Sequence, residues 1–213
     1  MKPLERRLIE PSRPLERTFF ARPTLKVAVA LLGTLLVRRE AKGDLTTGII
    51  YEVEAYIGSD DLACHARSGQ TARNAAMWGP PGNAYVYFTY GMHWMLNAVT
   101  EPKGNPAAVL LRAAFPQNGI ERMRARRGHK ADHLLSDGPA KLCQAFAIDR
   151  TFDQRSLCDG NAALTIHPGM AINPDAVQAT PRVGIKNVPE PWRSIPWRFF
   201  LHPKDLSGSS HSH

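Results

Sequence analysis

The sequence predicts a mixed α+β fold built on an antiparallel sheet. Three observations predict it. Strand-like and helix-like runs are interspersed along the chain without a regular β-α-β rhythm, which argues against a parallel sheet. Neighbouring strand-like runs are separated by short glycine-containing turns, the mark of hairpins rather than crossovers. The chain of 213 residues is 43% hydrophobic, enough for one substantial core, so one domain is expected rather than two small ones.

Each element follows from its own stretch. "PTLKVAVALLG", residues 23–33, reads as a helix with Gly33 as its C-terminal cap. A strand over 34–40, a turn at "AKGD" and a strand over 45–58 come next. Alternation along the second strand sends Ile49, Tyr51, Val53 and Ala55 one way and Ile50, Glu52, Glu54 and Tyr56 the other. Two carboxylates and a ring thus share one face. Residues 59–83 are rich in turn formers and carry His65, Arg67 and Arg73; they read as a loop of a length that is commonly functional. "AYVYFTY" and "HWMLNAVT" form two strands around "GM", with Tyr90 and Gly91 at the reversal. Here Tyr85 and Tyr87 share one face, and Val86, Phe88 and Tyr90 the other. Tyr85, Phe88 and Trp94 read as core. Residues 107–116 form a mostly apolar strand with Arg112 near its end. Two helices follow, a basic one over 118–128 and one over 137–149 with Asp137 and Pro139 in capping positions. "PRVGIK" and "PWRFFLH" read as strands.

Composition limits the function. Lysine and arginine number 27 against 19 acids, a net charge of +8, which favours a polyanionic partner. The longest apolar run, 27–37, is too short to span a bilayer, and the N-terminus lacks the apolar stretch of an export signal, so a cytoplasmic protein without a membrane partner is expected. The three cysteines are scattered without a C-x-x-C pair, so neither a metal site nor a disulfide framework is expected. Phosphate-binding loops, dinucleotide fingerprints and the G-x-S-x-G elbow are absent.

The residues that carry chemistry fall into three groups. In "EVEAY", a carboxylate projects beside a flat ring, an arrangement able to activate water if that face lines a pocket, and equally an ordinary solvent-facing strand. The spacing does not rank Glu52 against Glu54. Tyr90, beside a glycine at a hairpin reversal, is hard to bury unless a partner supplies the other wall, as a base stack does for a wedge residue. The cations Arg67, Arg73, Arg112, Arg122, Arg124, Arg126, Arg127, Lys130 and Lys141 suit phosphate contacts or a solvated face.

"EAY", "HARSGQTARNAAMW", "YVYFTYGMHWMLN", "VLLRA", "SDGPAKLCQAFAID" and "RVGI" occur in that order. Together they resemble the alkyladenine (3-methyladenine) DNA glycosylase family, of the methylpurine-DNA glycosylase type, over residues 18–202. The resemblance implies a single compact α+β domain with a curved antiparallel sheet, surrounding helices and a protruding β-hairpin. A basic, Pro-rich extension over 1–17 and a polar, disordered tail over 203–213 flank it. It implies a monofunctional hydrolase, monomeric and without cofactor or metal, that flips a damaged purine out of duplex DNA and cuts its bond to deoxyribose. By position, Glu54 activates the water and Arg112 assists. Tyr56, His65, Tyr87, Asn97 and Val183 bind the base. Tyr90 fills the vacated place in the stack, with Met92, Arg73, Lys141 and Arg182 on the DNA. The competing reading is a binder of distorted nucleic acid that performs no chemistry.

Overall fold

The apolar runs become strands of one antiparallel sheet in the computed structural model, which describes residues 8–206. The strands are β1 (Leu35–Arg39), β2 (Leu45–Ile57), β3 (Ala84–Thr89), β4 (His93–Val99), β5 (Ala107–Asn118), β6 (Leu164–His167), β7 (Gln178–Thr180) and β8 (Arg198–Phe200). They lie in the order β3-β4-β5-β2-β1-β6, with β8 on β2 and β7 on β8. The helices are α1 (Arg17–Phe20), α2 (Thr24–Leu31), α3 (Ile120–Arg126) and α4 (Pro139–Ala145).

β2 organises the sheet. Its first half is flanked by β1 and β5; past the end of β1, the short strand β8 takes over that edge and pairs Glu52, Val53 and Glu54 with Phe200, Phe199 and Arg198. The register between β2 and β5 shifts at three places, and the two shifts on either side of Glu52 leave Tyr51 on β2 and Arg112 on β5 without an opposed residue. Paired bulges of this kind bend a sheet and re-aim side chains. The main core gathers Val27, Ala28 and Leu31 of α2 and Leu142, Cys143 and Ala145 of α4 around Leu35, Ile50, Val53, Leu96 and Leu111. Ile49 and Ile50 are both buried, as expected where a sheet is covered on both faces. A second, smaller core lies under residues 59–83, where Cys64, Ala66, Ala76 and Met77 pack on Tyr85, Val99 and Ala108. The long loop is thus a cover for the sheet, stiffened by 3-10 turns at His65–Ser68 and Ala75–Trp78.

Several expectations are corrected. "PRVGIK" is a turn, with Gly184 at φ +82°, because its polar groups bond to side chains elsewhere rather than to a ladder. β6 and β7 lie in stretches where no strand was expected. Asp137 does not cap α4; it pairs with Lys141 at 3.0 Å. Phe88 is 44% exposed rather than core, resting against Trp94 at 4.7 Å. In the N-terminal extension, Ile9 and Leu15 pack on the core and His167 bonds the Ser12 carbonyl. Leu206 of the tail is buried in the core, so neither flank is loose where described. Residues 1–7 and 207–213 of those flanks lie outside the described residues. No helix among the described residues is long and apolar enough to cross a membrane.

The basic helix α3 is tied to its own fold. Arg122 pairs with Asp44, Arg124 with Asp132 and Glu121, Arg126 with Glu40 and the Ala145 carbonyl, and Arg127 with Gln144 and the Leu135 carbonyl. Burial would raise the Glu40 carboxyl, but the bonds from Arg126 and Thr46 outweigh it and hold it below the usual range. Arg126→Met is therefore expected to lower stability by about 1–2 kcal/mol at neutral pH, discounted from a fully buried pair. Because Glu40 is held below its unfolded value, the wild-type advantage should persist above about pH 4.5 and fade as pH falls further. Urea unfolding of both proteins across that range checks it.

Candidate active site

The sequence brings Glu54 and Tyr56 side by side on β2, and the fold closes a cavity of about 380 Å³ over them. Glu54 has no solvent exposure. Its Oε1 accepts the Val183 N–H at 2.7 Å and lies 3.3 Å from Nη1 of Arg112, while its Oε2 accepts the Tyr56 hydroxyl at 2.8 Å. Glu52, the other candidate, is engaged outside the cavity, where its Oε1 takes Nε of Arg112 at 2.6 Å and Nε of Arg198 at 2.7 Å. The structure thereby ranks the two carboxylates. Glu54 faces the cavity; Glu52 anchors the arginine beside it.

The walls are rings. Tyr56 comes from β2, Tyr85 and Tyr87 from β3, and His65 from the 3-10 turn of the covering loop. His65 meets Tyr87 edge-on, with centroids 4.6 Å apart, and its Nδ1 lies 2.8 Å from the Tyr85 hydroxyl. Burial raises the phenols, Tyr87 to about 12 and Tyr56 well above its ordinary value, so every wall is a neutral, electron-rich ring. Burial, with Arg73 and Arg67 nearby, lowers His65, which is therefore neutral at pH 7. Nδ2 of Asn97 donates to the Tyr85 carbonyl at 3.0 Å, which fixes the orientation of its amide in the wall. Val183, Gly184 and Ile185 complete the rim. Among the described residues no three His, Cys, Asp or Glu side chains converge to hold a metal ion.

Tyr90 also borders the cavity but stands 81% exposed, with Met92 beside it at 66%. Tyr90 and Gly91 both have positive φ, +53° and +68°, and the Met92 N–H bonds the Thr89 carbonyl. This is the geometry of a tight hairpin turn, which a bulky tyrosine enters only under strain. Arg73 lies 5.7 Å above the Tyr87 ring and bonds the Phe88 carbonyl, supporting the hairpin from its side. Lys141 is partly exposed on α4.

Arg182 does not reach the surface. It is 5% exposed and its guanidinium is locked on Asp61, so its expected place on the DNA is corrected. Sequence reasoning read Tyr85 only as core, where it is indeed buried, though it also lines the cavity, and passed over Asp61, Arg198, Met95 and Leu110, of which the last two line the cavity. Of these, only Tyr85 carried a signal, its place two before Tyr87.

A buried carboxylate beside an arginine, in a cleft walled by flat rings, is the equipment of an enzyme that acts on a planar, base-like group. The comparisons say which. The family model described as methylpurine-DNA glycosylase (MPG) matches residues 18–205. A protein of Chlorobaculum parvum, provisionally named a 3-methyladenine DNA glycosylase, is 45% identical over 86% of this chain and 85% of its own. Proteins of Methanocella arvoryzae and Streptomyces avermitilis bearing the same provisional name are 45% and 44% identical, over 87% and 88% of this chain and 91% and 87% of their own. The chain belongs to the methylpurine-DNA glycosylase family and is a DNA glycosylase of base excision repair.

Because folding holds His65 below its ordinary value of about 6.5, the unfolded chain binds a proton there first as the medium acidifies. Stability should drop as pH falls through about 6.5, and the drop should end below the lowered folded value. His65→Gln is expected to flatten this part of the profile, with the residue owed to His167, also lowered by burial. Urea midpoints measured at pH 7.5 and at about pH 5 test it.

Proposed function

We propose that the enzyme is a monofunctional hydrolase that draws a damaged purine nucleotide out of duplex DNA into the ring-walled cavity and releases the base, with Glu54 as the general base. The observation that carries this reading is the fully buried Glu54 carboxylate at the cavity floor, held by Arg112, Tyr56 and the Val183 N–H. Glu54 takes a proton from water as the water oxygen bonds to the anomeric carbon. The bond from that carbon to the purine nitrogen breaks, and its electron pair leaves with the base. Arg112, 3.3 Å from the carboxylate, orients it.

Tyr56, His65 and Tyr87 enclose the extruded base. Purines alkylated at N3 or N7 are cationic, which makes them good leaving groups and favours their stacking on electron-rich rings. Asn97, its amide fixed by the bond from Nδ2 to the Tyr85 carbonyl, lines the cavity at the base edge and disfavours guanine by crowding its exocyclic amine. Val183 closes the rim. Tyr90 occupies the gap in the stack, Met92 follows it, and Arg73 and Lys141 face the phosphates. Hydrolysis rather than a Schiff-base route is favoured by the cavity lining, which contains no lysine. Borohydride should accordingly trap no protein on DNA.

Two substitutions test the reading. Glu54→Gln is expected to bind a duplex with a single ethenoadenine within a few-fold of wild type, yet to release base at least about a thousandfold more slowly. Undiminished release, scored as alkali-labile strand breaks, would remove Glu54 from the role of base. Tyr90→Asn places the residue suited to positive φ before Gly91 and gives up little packing, so folding stability should rise by about 1 kcal/mol. Affinity for the same duplex should fall by roughly 1–3 kcal/mol, the worth of one base–aromatic stack. Equal affinity would count against insertion.

A further inference from the structure

The buried ion pair between Asp61 and Arg182 has no part in the scheme above, and its surroundings single it out. Neither side chain has any solvent exposure. Nη1 of Arg182 donates to Asp61 Oδ2 at 2.6 Å and to the Ala55 carbonyl at 3.0 Å; Nη2 donates to Asp61 Oδ1 at 2.9 Å and to the Trp192 carbonyl at 3.2 Å. The guanidinium lies 4.7 Å from the centre of the Tyr56 ring and 5.3 Å from that of Trp197. Asp61 also accepts the Ile57 and Ala63 N–H groups at 3.3 and 3.0 Å. The pair thus joins the end of β2, the covering loop and the C-terminal segment at one point. Next in sequence to Arg182 is Val183, whose N–H holds Glu54. Stability alone does not call for such a pair, since burying two charges is commonly no better than an apolar contact of the same size.

We propose that Asp61 and Arg182 are positioning residues that fix both the Val183 N–H and the Tyr56 ring against the Glu54 carboxylate. The pair touches neither water nor base; it acts through the two donors it places. This inference rests on the reading of Glu54 as general base. Glu54 also faces Arg112 from β5 and Tyr87 from β3, with Glu52 of β2 and Arg198 of β8 behind Arg112. None of these is altered below, so a changed pH response reports on the Val183 and Tyr56 donors. A carboxylate that loses donors to its charged form keeps its proton to higher pH.

The test is single-turnover release from a duplex carrying one 3-methyladenine, between about pH 5 and pH 8; this cationic purine needs no proton to leave, so the acid limb isolates the general base. Arg182→Lys keeps the charge but lacks the planar fork. The double variant Asp61→Leu with Arg182→Met removes both charges and keeps the volume filled, an exchange that folded proteins tolerate. In both, the acid limb should move up by about one pH unit, slowing release on that limb about tenfold, while the high-pH plateau changes by less than about threefold. Val183→Pro, which deletes the N–H while fixing φ there, should reproduce the shift. An unmoved limb in the double variant, with thermal unfolding like wild type, overturns the proposal, as does an equal loss of rate at every pH. Release that persists in Glu54→Gln is a separate result: it removes Glu54 as the base, and the proposal with it.

Discussion

A carboxylate with no exposure to solvent stays charged only if the protein supplies the hydrogen bonds that water would have made. Glu54 imposes that requirement, and much of the surrounding architecture meets it. One donor, Tyr56, stands two residues along the same strand. A second partner, the Arg112 guanidinium, comes across the sheet from β5 as an ion pair at 3.3 Å. The third, the Val183 N–H, is 129 residues away in sequence and arrives because the C-terminal segment returns over the site. That return also brings β8 to the edge of β2 vacated by β1, so the strand that carries Glu54 is paired on both sides at the residue itself. A frayed edge there would let the carboxylate move relative to its donors.

The two register shifts on either side of Glu52 serve the same need. In an unbroken ladder, Arg112 would stand opposite Glu52, because Leu110 and Leu111 oppose Glu54 and Val53. The shifts place Ala113 there and leave Arg112 unpaired, with Nε on Glu52 and Nη1 on Glu54. One guanidinium thus spans two carboxylates that would otherwise repel each other across one face of the strand. Arg198 adds a second cation to Glu52, so the charge of Glu52 is matched without drawing Arg112 away from the cavity.

Legibility from sequence tracked the range of the interaction. The period of a strand is local, so the shared face of Glu52, Glu54 and Tyr56 could be read from five consecutive residues. The choice between the carboxylates could not, because it depends on a bulge in β5 and on Val183. "PRVGIK" has the composition of a strand, yet its donors go to Glu54 and Asp61, and no ladder forms. The resemblance places Arg182 on the DNA, and no local pattern corrects it, because its partner lies 121 residues upstream. Arg122 and Arg126 of the basic helix likewise find Asp44 and Glu40, 78 and 86 residues away. Charge counts in sequence overstated the free positive surface for that reason. β6, four residues ahead of Pro168, was too short for periodicity to register.

The hairpin of β3 and β4 joins two parts of the proposed mechanism on one rigid element. Its base is buried, with Tyr85 in the smaller core and Val86 in the main one, while its tip carries Tyr90 in a strained, exposed conformation. Tyr87, three residues before Tyr90, is a wall of the cavity. At about 3.3 Å per residue, the ring proposed to enclose the base and the ring proposed to enter the stack are roughly 10 Å apart along one hairpin arm. On that proposal, linking the two sets the spacing between the hole in the duplex and the captured base when the protein folds. The entropy of arranging both contacts is then met in folding rather than on encounter with DNA. Strain at Tyr90 is the local counterpart of that arrangement, tolerated because the rest of the hairpin is anchored on both faces of the sheet.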